Sequence, residues 1–138
     1  MDEQQLEILC GYSERALESY LGRPFLKYPL LAFYKRGKGI IAVKFIRSEG
    51  KIVSSGCILY GTKGKIMHTK NLTPIKFDLK NIFLPFPLSG FIEKFGLPHA
   101  EIGSGFTSLI YLSGHESIYI LELDREEILR IREKYIHL

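Results

Sequence analysis

A short pattern occurs twice in this chain and restricts its fold more than any other feature. Leu17-Glu18-Ser19-Tyr20-Leu21-Gly22-Arg23-Pro24 closes an amphipathic helical stretch, and Phe91-Ile92-Glu93-Lys94-Phe95-Gly96-Leu97-Pro98 closes another 74 residues later. Each copy carries an apolar helical face into Gly-x-Pro and then into strand-like sequence. Glycine supplies a left-handed C-cap at little cost, and a proline two residues on prevents the helix from resuming. The pattern therefore predicts a helix–turn–strand unit used twice, with Gly22, Pro24, Gly96 and Pro98 chosen for backbone geometry. The second copy runs on through His99-Ala100-Glu101-Ile102-Gly103-Ser104-Gly105. His99, Gly103 and Gly105 are assigned to the same turn structure, the imidazole serving nearby backbone rather than chemistry.

Hydrophobic periodicity fills in the rest. Leu6, Leu9, Cys10, Ala16, Leu17, Tyr20 and Leu21 recur at spacings of three and four, broken at Gly11-Tyr12-Ser13. This predicts two short helices, with Ser13 capping the second. From Leu30 to about Leu79 the chain reads as short strands joined by tight turns, an antiparallel meander with Gly56 at a bulge. Its last member, Ile75–Leu79, alternates Ile75, Phe77 and Leu79 against Lys76, Asp78 and Lys80. Pro85-Phe86-Pro87 marks a junction between a first unit of about 1–84 and a second of about 85–138. In the second, a helix over 88–95 precedes strands at 106–112 and 117–123. Asp124 and Glu127 read as the capping box of a closing helix whose buried side is Ile128, Leu129, Ile131, Tyr135 and Ile136. The expected class is α+β: an antiparallel sheet packed by short helices, in two unequal tandem units with a C-terminal helix, within one compact domain.

Length and composition suit a folded domain with a real core, 138 residues of which 46% are hydrophobic. Cys10 and Cys57 read as two buried thiols, since their spacing fits no zinc motif; a single bridge between them stays open for an exported chain. Met1-Asp2-Glu3-Gln4-Gln5 lacks the features of a signal peptide, and no apolar run is long enough to span a membrane, so a cytoplasmic location is expected. A secreted chain read without its signal peptide stays open. Charge is uneven. Residues 35–80 hold 11 basic and 2 acidic side chains, net +9, against −2 before them and −3 after.

Chemistry-bearing motifs are sparse. His68, His99, His115 and His137 have no ligand-spaced partners, so no metal site is expected. Gly61-Thr62-Lys63-Gly64-Lys65 lacks the spacing of a phosphate loop and reads as a turn. Ser55, Cys57 and Ser104 have no visible base beside them, and a nucleophile without an activator is only a polar side chain. No catalytic residue and no cofactor are assigned.

The helix ending in Gly22-Arg23-Pro24 and the run Phe95-Gly96-Leu97-Pro98-His99-Ala100-Glu101-Ile102-Gly103-Ser104-Gly105 resemble a known pattern. The resemblance is to the fold family of the β-lactamase inhibitor protein and the SmpA/OmlA small lipoproteins, in which short helices end at Gly-x-Pro before an antiparallel sheet. It implies one or two tandem helix–helix–strand units that bind another protein. The chain departs from that family in lacking a lipobox cysteine near Met1, and Cys10 and Cys57 cannot supply the inhibitor's disulfides. Only the fold and a leaning toward protein binding carry over.

The functional expectation is a non-enzymatic module that binds the acidic surface of another protein. The surface assigned to it is Lys44, Arg47, Lys51, Lys63, Lys65 and Lys76. The alternatives are a nucleic-acid binder using the same basic 35–80 segment and a small enzyme of unknown class.

Overall fold

The two N-terminal helices form as Glu3–Ile8 (α1) and Glu14–Leu21 (α2). Asp2 and Gln5 make a reciprocal capping box on α1, and the Ser13 hydroxyl accepts the Ala16 N–H on α2. The computed structural model describes residues 1–103 and 107–137. These form two compact units, Met1–Thr73 with His137, and Pro74–Ile136.

In the first unit a five-stranded antiparallel meander follows the helices: Leu26–Tyr28 (β1), Leu31–Arg36 (β2), Gly39–Ser48 (β3), Lys51–Tyr60 (β4) and Ile66–His68 (β5), lying in that order. One face of the sheet carries Ala32, Tyr34, Ile41, Val43, Phe45 and Cys57, and packs on Leu6, Leu9 and Leu17 of the helical layer. Ser54 bolts the α1–α2 link to the sheet. Its N–H donates to Tyr12 C=O at 2.8 Å, its C=O accepts from Gly11 N–H at 2.7 Å, and its hydroxyl donates to Leu9 C=O at 2.6 Å.

The second unit comprises Phe86–Pro87 (β6), Leu88–Phe95 (α3), Ala100–Ile102 (β7), Ser108–Leu112 (β8), Ser117–Asp124 (β9) and Glu127–Tyr135 (β10). The antiparallel order is β6-β10-β9-β8-β7. Phe91 of α3 is buried on Leu109, Tyr111, Leu121, Leu123 and Ile128.

The second unit repeats the central frame of the first, a helix followed by four strands. The helices 14–21 and 88–95 and the edge strands 26–28 and 100–102 share one 74-residue offset, as do the two capping glycines. Gly22 has φ 85° and ψ −173°, and Gly96 has φ 88° and ψ −176°. These torsions are not the left-handed helical cap expected from the sequence. They lie in the positive-φ extended region that is essentially reserved for glycine, because a Cβ is strained there, and they turn the chain from helix toward the following strand. The bulges repeat as well. Ser55 is the extra residue where Lys44 faces Gly56 and Phe45 faces Ser54, and Leu129 is the extra residue where Glu122 faces Arg130 and Leu123 faces Ile128. Gly56 stands beside the first bulge, where a Cβ would lie 2.8 Å from both Asn71 Oδ1 and Leu72 Cβ.

The α+β class is as expected, but the closing helix is not. Residues 127–135 form β10, the counterpart of β4. The Asp124–Glu127 segment, expected as a capping box, is the tight turn of the β9–β10 hairpin, with Arg125 at φ 57°. Because Leu129 is looped out, Ile128 and Ile131 point to the same side three residues apart, which imitates a helical period. The strand expected at 75–79 is also absent, replaced by an isolated bridge from Ile75 to Ser113. Its alternation nevertheless sends Ile75, Phe77 and Leu79 into the core of the second unit.

Two expectations follow. Gly22→Ala and Gly96→Ala meet no steric obstacle within 4 Å, so each should cost only the backbone strain, about 1–3 kcal/mol in urea unfolding; unchanged midpoints would contradict the assignment. Tyr34 and Tyr111 occupy equivalent positions under α2 and α3. The Tyr111 hydroxyl donates to Gly96 C=O at 2.8 Å, whereas the Tyr34 hydroxyl is buried without a partner among the described residues. Tyr34→Phe should therefore raise stability by about 1 kcal/mol and Tyr111→Phe lower it by about as much; equal effects of one sign would contradict this.

Candidate functional site

A groove of about 910 Å³ opens in the first unit between the two helices and the end of the sheet. Its floor is Leu9, Ala16, Leu17 and Leu59, and its walls carry Ile8, Tyr12 and Tyr20. The far rim is the β2–β3 turn, Arg36-Gly37-Lys38-Gly39. Ile8 is 65% exposed, Tyr12 46% and Tyr20 59%, so three large apolar side chains meet water around one concavity. Contiguous exposure of that kind marks interaction surfaces in soluble proteins.

Local sequence explains the geometry. Leu17 takes the sheet-facing position of α2. Ala16 and Tyr20, four residues apart, share a neighbouring stripe that the sheet does not cover. The Arg36 guanidinium lies 5.3 Å from the centre of the Tyr20 ring and so links rim to wall.

The electrostatics of the groove are one-sided. Arg36 and Lys38 are the charged side chains lining it, and among the described residues neither has a carboxylate within ion-pair range. The carboxylates of α2 are engaged elsewhere, Glu18 by Arg23 at 3.4 Å and Glu14 by Lys27.

Of the six basic residues expected to form one surface, those of the first unit are spread apart. Arg47 and Lys51 stand at the β3–β4 hairpin. Lys63 and Lys65 lie beyond the opposite end of β4, in and beside a 3-10 turn at Thr62–Gly64 next to the groove. Ten residues of strand separate these ends, a span of ~30 Å. Lys44 is half-buried in mid-strand, and Lys76 belongs to the second unit. Arg36 and Lys38 belong to the basic 35–80 segment but not to the surface expected from the sequence. The signal that pointed to them was the surplus of apolar residues, Ile8, Tyr12 and Tyr20, beyond what one buried stripe requires.

The assigned turn residues occupy turns. Pro24 and Pro98 each stand two residues past a capping glycine, and Gly103 has φ 85°. Gly105 lies outside the described residues. His99 is buried, and its Nδ1 accepts the Leu112 N–H at 2.8 Å, which places the ring proton of the neutral form on Nε2.

Other polar groups also serve the fold. The thiols of Cys10 and Cys57 are free, and burial is the main cause that raises the pKa of each. The Ser113 and Ser117 hydroxyls lie 2.8 Å apart at the β8–β9 turn. Ser117 also donates to Glu133 at 3.2 Å. Hydrogen bonds from Tyr119, then from Tyr135 and Ser117, together with the charge of His115, hold the Glu133 carboxyl below its ordinary pKa, against a smaller opposing effect of burial. Burial is also the largest cause that pushes Tyr119 up to about 12.

Among the described residues, no three His, Cys, Asp or Glu side chains form a metal-ligand group, and no helix is long and apolar enough to cross a membrane. No family model, curated protein or solved structure matches the chain.

Glu133 gives a pH-dependent expectation. A carboxyl whose folded pKa is depressed adds stability above its unfolded pKa, and that stability is lost as pH falls through the folded value. Wild type should exceed Glu133→Gln in urea stability at neutral pH, and the gap should close as pH falls below the ordinary carboxylate range. A gap constant with pH would contradict the hydrogen-bonded carboxylate.

Proposed function

We propose that the chain is a non-enzymatic binding module whose partner is another protein with an acidic, partly apolar surface. The observation that carries this reading is the groove of the first unit: an apolar floor, tyrosine walls and a rim whose cations have no ion-pair partner among the described residues. Anchors of that type, a desolvated apolar centre flanked by unpaired charge, are what protein interfaces use for affinity and orientation. The seryl hydroxyls at Ser54, Ser113 and Ser117 are occupied in holding turns and links, which fits a structural rather than a nucleophilic role. The tandem helix–Gly-x-Pro–sheet plan is in keeping with the resemblance to the β-lactamase-inhibitor-like fold family, whose implied leaning is also toward protein binding.

This reading moves the binding surface from the scattered lysines to the groove end of the sheet, where Lys63 and Lys65 add to the positive field of Arg36 and Lys38. Polarisation measurements with a labelled glutamate–tyrosine copolymer and with a labelled single-stranded oligonucleotide test it. Wild type should bind the copolymer at low salt and release it at high salt. Arg36→Glu with Lys38→Glu should weaken binding about tenfold or more, whereas Arg47→Glu with Lys51→Glu should have little effect. Retention of the oligonucleotide alone, or equal loss from both variants, would contradict the proposal.

A further inference from the structure

Resting on that reading, we infer that the groove receives one amphipathic acidic α-helix of the partner rather than an extended segment. An extended peptide binds tightly to a protein surface chiefly by adding to a sheet edge, because its N–H and C=O groups need partners once water is removed. The edges of the first sheet are β1 and β5, and neither lines the groove. The groove is walled by α1 and α2, whose interior backbone groups are paired along the helices, and Leu59 and Gly39 on its sheet side lie in strands paired on both flanks. A buried extended segment would find no ladder there. A helix arrives with its own backbone bonds made and offers only side chains.

The dimensions agree. Eight residues of α2 extend ~12 Å, and apolar anchors at positions i, i+4 and i+7 of a partner helix span ~10 Å. Such a stripe matches the apolar row made by Ile8, Tyr12, Ala16 and Tyr20. The cations Arg36 and Lys38 stand along a single rim, so the partner helix carries its carboxylates on the flank facing that rim, beside its apolar stripe. The arrangement is confined to the first unit. At the positions equivalent to Ala16 and Tyr20 the second unit has Gly90 and Lys94, which offer no apolar wall.

The test uses the full chain and three fluorescein-labelled peptides of about 16 residues. The first has leucines at i, i+4, i+7 and i+11 with glutamates along one flank, the second has the same residues with the leucines scrambled, and the third is the first with two central prolines. The first should bind, gain helical circular dichroism on binding, and exceed the other two in affinity about tenfold or more. Tyr20→Ala and Arg36→Glu, both at exposed positions, should each weaken it while the chain keeps a cooperative thermal unfolding transition, lowered by no more than the loss of their one cation–π contact. Equal affinity for the proline peptide, lost in the same two variants, would overturn the helix while sparing the acidic-partner reading. Binding of none of the three, with no response to the glutamate–tyrosine copolymer, would overturn both.

Discussion

Each unit depends on a chain reversal that one amino acid makes easily. At Gly22 and Gly96 the backbone passes from helix to extended strand in a single step, at torsions that a Cβ strains. The step returns the chain as the edge strand of the sheet on which the helix lies. Helices of eight residues are too short to persist on their own. They are held by the side chain each buries, Leu17 in one unit and Phe91 in the other, against the tyrosine, leucine and valine face of the sheet. Reversal, buried helical residue and meander thus form one cooperative arrangement, and its helix, capping glycine, edge strand and bulge recur at one 74-residue spacing.

What differs between the copies is the material placed beside that arrangement. The first unit adds α1 and ties its link to Ser54, which leaves a concavity between the helices and the β2–β3 turn. In the second, Ile75, Phe77, Leu79 and Ile82 join the helix-side core instead, and an aromatic cluster of Phe77, Phe91, Phe95, Tyr111 and Tyr119 fills it. A shared frame with one elaborated copy is consistent with a division between stability and recognition, the proposed role of the groove.

The helices, the Ser13 cap and most of the strands were legible because each rests on a local rule: a capping side chain, a Gly-x-Pro stop, an alternation. The last strand was not, because the looped-out Leu129 shifts the apolar register and makes Ile128 and Ile131 read as one helical stripe. The repeat itself held the missing information, since an offset of 74 maps Ser54 onto Ile128 and Ser55 onto Leu129. Residues 75–79 illustrate the converse. Alternation placed their side chains correctly in a core but carried no information about backbone pairing. The basic surface was legible only as charge in sequence. Strand length sends Lys51 and Lys63 to opposite ends of β4, and the cations that meet apolar residues, Arg36 and Lys38, lie across the fold from α2 in sequence but beside it in space.

The central functional claim is that recognition occurs at the groove of the first unit. Hydrogen–deuterium exchange of the full chain, with and without the leucine–glutamate helical peptide at saturation, tests it most directly. Slowed exchange should be confined to residues 5–20, 36–39 and 59–62, which line the groove, with 47–51 and the second unit unchanged. Protection centred on 47–51, or on the strands of the second unit, would contradict it.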